Sequence, residues 1–340
     1  MPAQGYNVVS SIGEMAGTIT GGAVATDGVF SYVVAAVVVV LTAILAFGGI
    51  KQVTKLTNKM VPVMAVVYIA VVVVLILLNV DQLPYFFKAV FSGAFTPDAV
   101  FGGAFGTVLV QGVKRGLMSN EAGQGTITMS AAAAECDNPC EQGVISAIGV
   151  FLDTIVICTL SGFVVIMAHC WNGADAAVWE SLDKLGKFNT SVTTLTPGVA
   201  LNSVMTILVS FCFCLFAYTC LIGMITFSEI AANRISRSKK LTTGIRVLGI
   251  FTVSFGILCN LAGLSLDNLW AFSDLGNILI VFANIPILFV GAKYVIRATK
   301  HYRAEDGSAF TSQTIGINDE LYWDNRASEI QKDSDINHCA

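Results

Sequence analysis

The feature that most constrains this chain is a series of long apolar runs that carry no charge. Met60–Val80 contains no acidic or basic residue, and a helix of that length reaches about 30 Å, the thickness of a bilayer hydrocarbon core. Only 12% of the 340 residues are charged, about half the fraction of a soluble domain. The β-branched run Val37–Val40 would suit a strand in water, but a lone strand in lipid leaves its backbone groups unpaired. The sequence therefore predicts an all-α integral membrane protein.

The apolar runs predict seven spans in a transmembrane domain that covers residues 30–303. The predicted spans lie near residues 30–50, 60–80, 86–117, 143–168, 203–227, 245–264 and 269–296. Residues 1–29 are predicted to be a partial N-terminal segment on the extracellular side, and residues 304–340 a polar, acidic cytoplasmic tail. Because the chain starts outside, directly before a span and without a signal peptide, we expect that helices precede it in a longer protein. A genuine outside start is the alternative.

Basic residues fall in four clusters, which lie on one side of the membrane if the seven spans alternate in direction. The clusters are Lys51, Lys55 and Lys59; Lys114 and Arg115; Arg234, Arg237, Lys239, Lys240 and Arg246; and Lys293, Arg297, Lys300 and Arg303. Because Lys and Arg are retained on the cytoplasmic side, that side is predicted to be cytoplasmic. No basic stripe suited to nucleic acid is present, so the expected surroundings are membrane lipid, with no nucleic-acid partner.

The third span carries a dense cluster of glycines. Pro97 interrupts the span early, and Gly102, Gly103, Gly106 and Thr107 follow. Glycine costs about 1 kcal/mol in a helix interior, so the cluster needs a reason. Two interpretations stay open: close packing against a neighbouring helix, or a discontinuous helix whose freed backbone groups line a binding cavity.

Polar residues inside the apolar runs are candidates for function. Asp153 should face the bundle interior, either in a structural hydrogen bond or in ion or proton handling. Asp274 and Asn277 share one helical face, and Pro286 beyond them predicts an interrupted helix. Thr219, in the middle of a span, can bond back to the carbonyl four residues earlier, or its oxygen can ligate sodium.

The segment Gly112–Gly125, GVKRGLMSNEAGQG, resembles the hallmark of the alanine or glycine:cation symporter family, the sodium:alanine symporters. The similarity continues through Gly149–Thr159 and reaches upstream to Gly48–Lys51 and Ala94–Pro97, covering roughly residues 30–300. It implies a leucine-transporter-like helical bundle of the APC superfamily, of which this chain holds core helices four to ten. The implied activity is secondary active import of small neutral amino acids, alanine or glycine, by sodium symport. A proton is the alternative coupling ion, and no other cofactor is expected.

The resemblance also implies roles for individual residues. Substrate binding is expected at Gly102, Gly103, Gly106 and Thr107, and the sodium site at Thr219 and Cys220. Gating or structural roles are expected for Lys114, Arg115, Asn120, Glu121, Asp153, Asp274 and Asn277. Among these, Lys114, Arg115 and Glu121 are predicted to form a charged group at the inner mouth, either as surface salt bridges or as an inner gate.

The chain departs from the family pattern in ways that affect these assignments. It lacks the glycine-rich break of core helix one, which in the family supplies backbone groups to sodium and substrate. The Ser-Thr pair and the tryptophan one turn later are replaced by Thr219, Cys220 and Met224. A second possibility is therefore a truncated family member that does not transport by itself. An intramembrane enzyme is not expected, because His169, His301 and His338 all lie outside the middle of the spans.

Overall fold

The computed structural model describes residues 2–22, 28–95, 103–136, 138–172, 176–262, 264, 267–304, 309–318 and 323–325. Helices account for nearly all of these residues. The first seven are α1 (Pro2–Thr20), α2 (Val29–Gly48), α3 (Ile50–Leu78), α4 (Leu83–Phe95), α5 (Gly103–Ser119), α6 (Ile127–Ala131) and α7 (Pro139–Phe151). They are followed by α8 (Cys158–Met167), α9 (Ala176–Ser181), α10 (Lys184–Leu195), α11 (Val199–Ile235), α12 (Lys239–Leu261), α13 (Asp267–Ala304) and α14 (Ser312–Ile315).

The chain forms two compact units. Unit 1 contains residues 1–109 and 156–272, and unit 2 contains residues 110–155 and 273–340. In unit 1, one apolar core joins α3, α8, α10 and α11 around Leu75, Val164, Val192 and Val209, all of them fully buried. Burial of side chains of this size stabilises a water-soluble fold by about 2 kcal/mol each; between helices in lipid the gain comes from close packing instead.

A second core of unit 1 is built around α1, to which the sequence analysis assigned no secondary structure. Val8 and Val9 of α1 are buried with Leu221 of α11 and Val253 of α12. A methyl group at Gly5 would lie 2.9 Å from Val253, so only glycine allows this approach of α1 to α12. The helical spacing of the buried residues of α1 was the available signal. It was overlooked because the segment is short on apolar residues.

Six helices within the described residues are long and apolar enough to cross a membrane. They are Val29–Gly48, Ile50–Leu78, Pro139–Met167, Val199–Ile235, Lys239–Cys259 and Ser273–Ala304. The predicted all-helical membrane class is confirmed. The count of seven spans and the leucine-transporter-like arrangement stay predictions. The predicted third span, 86–117, corresponds to α4 and α5, which have 13 and 17 residues and lie on either side of residues outside the described part.

The interruption predicted near Pro286 is wrong, because α13 runs without a break through all 38 residues from Asp267 to Ala304. Proline removes only one backbone donor, whereas a full break in lipid would leave several groups unpaired. The glycines of α5 behave similarly: the helix is continuous from Gly103 to Ser119. Methyl groups at Gly112 and Gly116 would meet no described atom within 4 Å, so these two glycines support neither an unwound backbone nor close packing.

In unit 2, part of the predicted tail folds back onto a helix. Phe310 and Ile315 are buried against Ala298 of α13, and Trp323 packs at their edge. Arg297 also donates a 2.8 Å hydrogen bond to the carbonyl of Ile315. This part of the segment predicted to be a loosely ordered tail is therefore an ordered attachment to α13.

Candidate functional site

Three predicted gating residues form one ion-pair centre in unit 2. The carboxylate of Asp274 on α13 forms a salt bridge with Lys114 Nζ on α5. Arg115 lies parallel to the same carboxylate, with both nitrogen–oxygen distances at 3.4 Å. The side chain of Asp274 is only 10% exposed, whereas Lys114 is 20% and Arg115 43% exposed. A single half-hidden carboxylate is thus shared by two bases that differ in their access to solvent.

This centre corrects two predictions. Glu121 is not the partner of the bases: among the described side chains, Lys114 and Arg115 pair with Asp274. The predicted depths also conflict, because Lys114 was placed at the inner end of one span and Asp274 near the outer end of another. A direct ion pair requires equal depth. The physical reason is that α5, with 17 residues, is about 26 Å long and does not cross the hydrocarbon core by itself.

Glu121 lies in the loop that follows α5 and adopts a positive φ of 58°, an uncommon conformation for a residue other than glycine. Its carboxylate accepts a 3.0 Å hydrogen bond from Thr126 Oγ1. Burial raises the pKa of Glu121 above its ordinary value of 4.5, the bond from Thr126 opposes this, and the negative charge of Asp153 raises the pKa further. Glu121 is therefore a carboxyl group without a basic partner among the described residues, held where a negative charge is disfavoured.

Asn284 of α13 fastens this loop. Its Nδ2 donates to the carbonyls of Ala122 and Gly123, at 3.2 and 2.9 Å. Gly125 has φ 79°, and a methyl group there would lie 2.5 Å from Asn284 Oδ1. The glycine of the hallmark segment is thus required both by the backbone conformation and by the close approach of Asn284.

Asp153 lies in a π-helical turn, Leu152–Ile157, between α7 and α8. Its Oδ2 accepts a 2.6 Å hydrogen bond from Ser119 at the end of α5. Asn120 donates a 3.0 Å bond to Thr154 Oγ1 in the same turn. Of the two interpretations left open for Asp153, the structure shows the hydrogen bond between elements. Turns of this kind occur often at functional sites.

Asn277, one turn beyond Asp274 on α13, faces α5 as the spacing predicts. Its Nδ2 lies 3.3 Å from the sulfur of Met118. This is a weak contact, since a thioether is a poor acceptor. Asn277 is thus brought to the ion-pair centre without joining its charges.

The residues predicted to bind substrate are only partly described. Gly102 lies outside the described residues, and Gly103, Gly106 and Thr107 occupy the first two turns of α5. Unit 2 contains a cavity of about 680 Å³, but it lies elsewhere, between α6, α7 and Trp323. Alanines 131–134 contribute much of its lining. The predicted substrate site therefore stays a prediction.

Thr219 lies within the continuous helix α11 of unit 1. Its hydroxyl donates to the carbonyls of Leu215 and Phe216, at 2.9 and 3.1 Å. The structure thus shows the back-bonding that the sequence analysis weighed against sodium ligation. The oxygen keeps lone pairs that can accept a cation, so the sodium assignments of Thr219 and Cys220 stay predictions.

A second ion pair escaped the sequence analysis, which placed Arg246 among cytoplasmic loop charges. Glu229 of α11 binds Arg246 of α12 through two parallel hydrogen bonds of 2.6 and 3.0 Å. Arg246 also lies 3.5 Å from the carbonyl of Phe47 at the end of α2. The missed signal was the pair itself, an acid near the end of one apolar run and a base inside the next. Because an isolated charge is costly there, each required a partner.

These features define a multi-pass α-helical membrane protein whose charged side chains are paired between helices. The chain belongs to the sodium:alanine symporter family, whose sequence model matches residues 5–314. This confirms the resemblance of the hallmark segment, and it makes the chain a multi-pass protein of the cell membrane.

Several curated relatives are similar over most of the chain. The sodium/alanine symporter AgcS of Methanococcus maripaludis is 32% identical, over 81% of this chain and 57% of its own length. The probable sodium/glutamine symporter GlnT of Bacillus subtilis is 33% identical, over 75% of this chain and 50% of its own. The sodium/proton-dependent alanine carrier protein of Bacillus sp. PS3 is 29% identical, over 82% and 64%. The chain thus spans between half and two thirds of the length of these relatives.

Proposed function

We propose that this chain forms the core of a cation-coupled carrier that imports small neutral amino acids, with alanine or glycine as substrate and sodium as the coupling ion. The observation that carries the proposal is family membership over residues 5–314. The names of the relatives include alanine and glutamine carriers, with sodium or sodium and protons as coupling ions. No cofactor besides the coupling ion is part of the proposal.

The ion-pair centre of unit 2 supports a mechanism of alternating access. Lys114 and Arg115 both reach Asp274, so either base can keep the carboxylate paired while the other moves. A gate of this kind avoids a bare charge in a low-dielectric region. Sodium then contributes by binding one conformation better than the other, which is the condition for coupling.

The surroundings in the proposal are lipid on the apolar faces. On α13, Phe282 and Phe289 are 72% and 81% exposed. Exposed apolar residues of this size match the surface of a spanning helix in contact with acyl chains or with further helices of the assembly. One elementary charge that crosses a potential of 100 mV supplies about 2.3 kcal/mol for import.

Uptake in proteoliposomes tests the coupling ion. We expect labelled alanine and glycine to accumulate with an inward sodium gradient and not with choline in its place. Thr219→Ala should raise the sodium concentration for half-maximal uptake by roughly tenfold, which corresponds to about 1.4 kcal/mol. Thr252→Ala is the matched control, because Thr252 is exposed and makes the same bond to its own helix. Equal uptake in choline would refute sodium coupling, and uptake driven by a pH gradient alone would assign the role to protons.

A pair of glycine variants tests the substrate assignment. Gly103→Leu should abolish uptake at unchanged membrane expression, because the side chain would fill the proposed cavity. Gly112→Leu introduces the same side chain two turns along α5, where a methyl group meets no described atom within 4 Å, and uptake should persist. Full uptake by Gly103→Leu would remove Gly103 from the proposed substrate site.

A further inference from the structure

A second polar site lies in unit 1, in a cavity of about 350 Å³ between α1, α10 and α11. Oxygen-bearing side chains dominate its lining. Those used below are Glu14, Asn189, Thr190, Thr193, Asn202 and Thr206. The charge pattern of the sequence places this end of α10 and α11 on the extracellular side.

The most informative residue in the lining is Asn189. Its side chain is 94% buried, since only 6% is exposed, and its Nδ2 donates a 3.2 Å bond to Ser210. Its Oδ1 is fully buried and has no hydrogen-bond partner among the described residues. A buried acceptor without a partner is costly, so this oxygen indicates that something is bound in the cavity.

The other oxygens of the cavity are also available as acceptors. Thr193 has donated its proton to the carbonyl of Thr190, and Thr206 has donated to Asn202 Oδ1, at 2.8 and 3.3 Å. Hydroxyls whose protons are used in this way keep lone pairs for a further contact. No basic residue is among the described residues that line the cavity. The lining is therefore rich in electron pairs and carries the negative charge of Glu14.

Charges near the cavity were followed on every element packed against α1. Asp183, at the start of α10, raises the pKa of Glu14 by charge repulsion, after the larger effect of burial; a hydrogen bond with Asn189 opposes both. Lys187 on α10 lies instead over the ring of Trp179, at 5.2 Å. The residues of α11 in the lining are neutral, and α12 contributes none among the described residues.

We propose that this cavity binds a monovalent metal cation such as Na⁺, in competition with a proton on Glu14. A cation of single charge is balanced by the one carboxylate and completed by the oxygen of Asn189 and the threonine hydroxyls, whereas Ca²⁺ requires more oxygens and usually several carboxylates. When the cation leaves, Glu14 takes up a proton, and its O–H can donate to Asn189 Oδ1. Either occupant satisfies the buried acceptor.

This site is distinct from the sodium site proposed at Thr219. Thr206 and Thr219 are 13 positions apart on the continuous helix α11, which places them about 20 Å from each other along its axis. The inference therefore does not depend on transport, and its test uses the protonation of a carboxyl group as the readout in place of uptake.

Infrared difference spectroscopy on the purified full chain in lipid nanodiscs tests the proposal. In choline chloride between about pH 4 and pH 8, we expect a protonated-carboxyl band with a midpoint above 4.5, the ordinary value for glutamate. Replacing choline by Na⁺ should lower that midpoint, by about one pH unit for each tenfold increase in Na⁺ above its dissociation constant. Glu14→Gln should remove the band, and Glu180→Gln, which changes an exposed carboxylate outside the cavity, should retain it.

Two further variants keep the test decisive if Glu14→Gln does not fold. Thr193→Val removes one lining oxygen at constant shape and should raise the Na⁺ requirement roughly three- to tenfold, with the midpoint in choline unchanged. Thr219→Ala should leave the Na⁺ shift intact even if it abolishes sodium-driven uptake. A midpoint that is the same in Na⁺ and choline, or a Na⁺-sensitive band that survives Glu14→Gln, would overturn the proposal.

Discussion

The two ion-pair centres of the protein are built differently. In unit 1, Glu229 and Arg246 form a one-to-one pair with two short parallel bonds, and the two side chains are 9% and 18% exposed. In unit 2, the carboxylate of Asp274 is shared by Lys114 and Arg115, with longer contacts to the arginine and more access to solvent. The first arrangement has a single satisfied state, whereas the second stays paired when either base is released.

This difference indicates which centre fixes structure and which can change. The pair in unit 1 joins α11 to α12, and Arg246 also reaches the end of α2 beside Gly49, whose φ is 76°. It therefore ties three helices at one point, where movement would leave a buried charge unpaired. The centre in unit 2 joins α5 to α13 in a family of carriers, and its redundancy suits a contact that breaks and forms again.

The largest effect is expected from Glu229→Gln, which tests whether the unit 1 pair is a fixed brace. Removing one charge leaves Arg246 buried and uncompensated, at a cost of about 3–5 kcal/mol. The measurement is thermal unfolding of the purified protein, together with membrane expression. Arg234→Gln is the matched control, because Arg234 is an exposed charge at the end of the same helix.

A double variant separates the pair from its charges. Glu229→Leu with Arg246→Leu should recover most of the stability lost in Glu229→Gln, because no unpaired charge remains. If Glu229→Gln melts within the range of the Arg234→Gln control, the unit 1 pair is not a brace and the contrast between the two centres fails.

A smaller loss of stability is expected from Asp274→Asn, by less than half of that for Glu229→Gln. Lys114 and Arg115 are more exposed than Arg246, so they can regain water when their partner is removed. Uptake in proteoliposomes should fall more steeply than stability, because the gate loses its shared acceptor. A variant that unfolds readily while the remaining folded fraction transports normally would make Asp274 a purely structural residue.

Single changes of the two bases refine this result. Lys114→Gln should affect uptake more than Arg115→Gln, because Lys114 is 20% exposed and Arg115 43% exposed. The double change should exceed the sum of the two, since each base supports the carboxylate when the other is absent. Additive effects would show that the two bases act independently and that the centre is not redundant.

The sequence was sufficient to predict the class of the protein and the helical character of its apolar runs. Uncharged stretches such as Met60–Val80 leave a helix as the only way to pair the backbone in lipid. The hallmark segment was sufficient to predict the family. Both follow from local signals that do not require knowledge of which helices are neighbours.

The partners of the charged residues could not be predicted in this way. Lys114 and Glu121 are seven positions apart, yet Lys114 pairs with Asp274, 160 residues further on, because pairing depends on which helices meet. The alternative for Thr219 was decided by geometry that propensity only weights, the distance from its hydroxyl to Leu215. The helix α1 was missed because its buried face rests on small residues such as Gly5, which contribute little to apolar patterning.

The smallest effect is expected at Glu121, which sharpens the comparison because this acid of unit 2 has a hydrogen-bond donor and no base among its described contacts. Since its pKa is raised above 4.5 in the folded protein, the folded state holds a proton that the unfolded chain has already lost. Stability is therefore highest below that value and falls as pH rises through the raised pKa. Glu121→Gln, which stays neutral, should melt like the wild type at about pH 4 and higher at neutral pH.

Two controls determine whether this effect arises from the local environment of Glu121. Glu135→Gln removes an exposed carboxylate nearby and should give no pH-dependent difference. Asp153→Asn should reduce the benefit of Glu121→Gln, because the charge of Asp153 is one cause of the raised pKa. If Glu121→Gln is less stable than the wild type at neutral pH, the charged form of Glu121 is stabilised by its surroundings. Unit 2 would then rely on paired charge as fully as unit 1 does, and the distinction between a fixed brace and a releasable contact would have to rest on Asp274 alone.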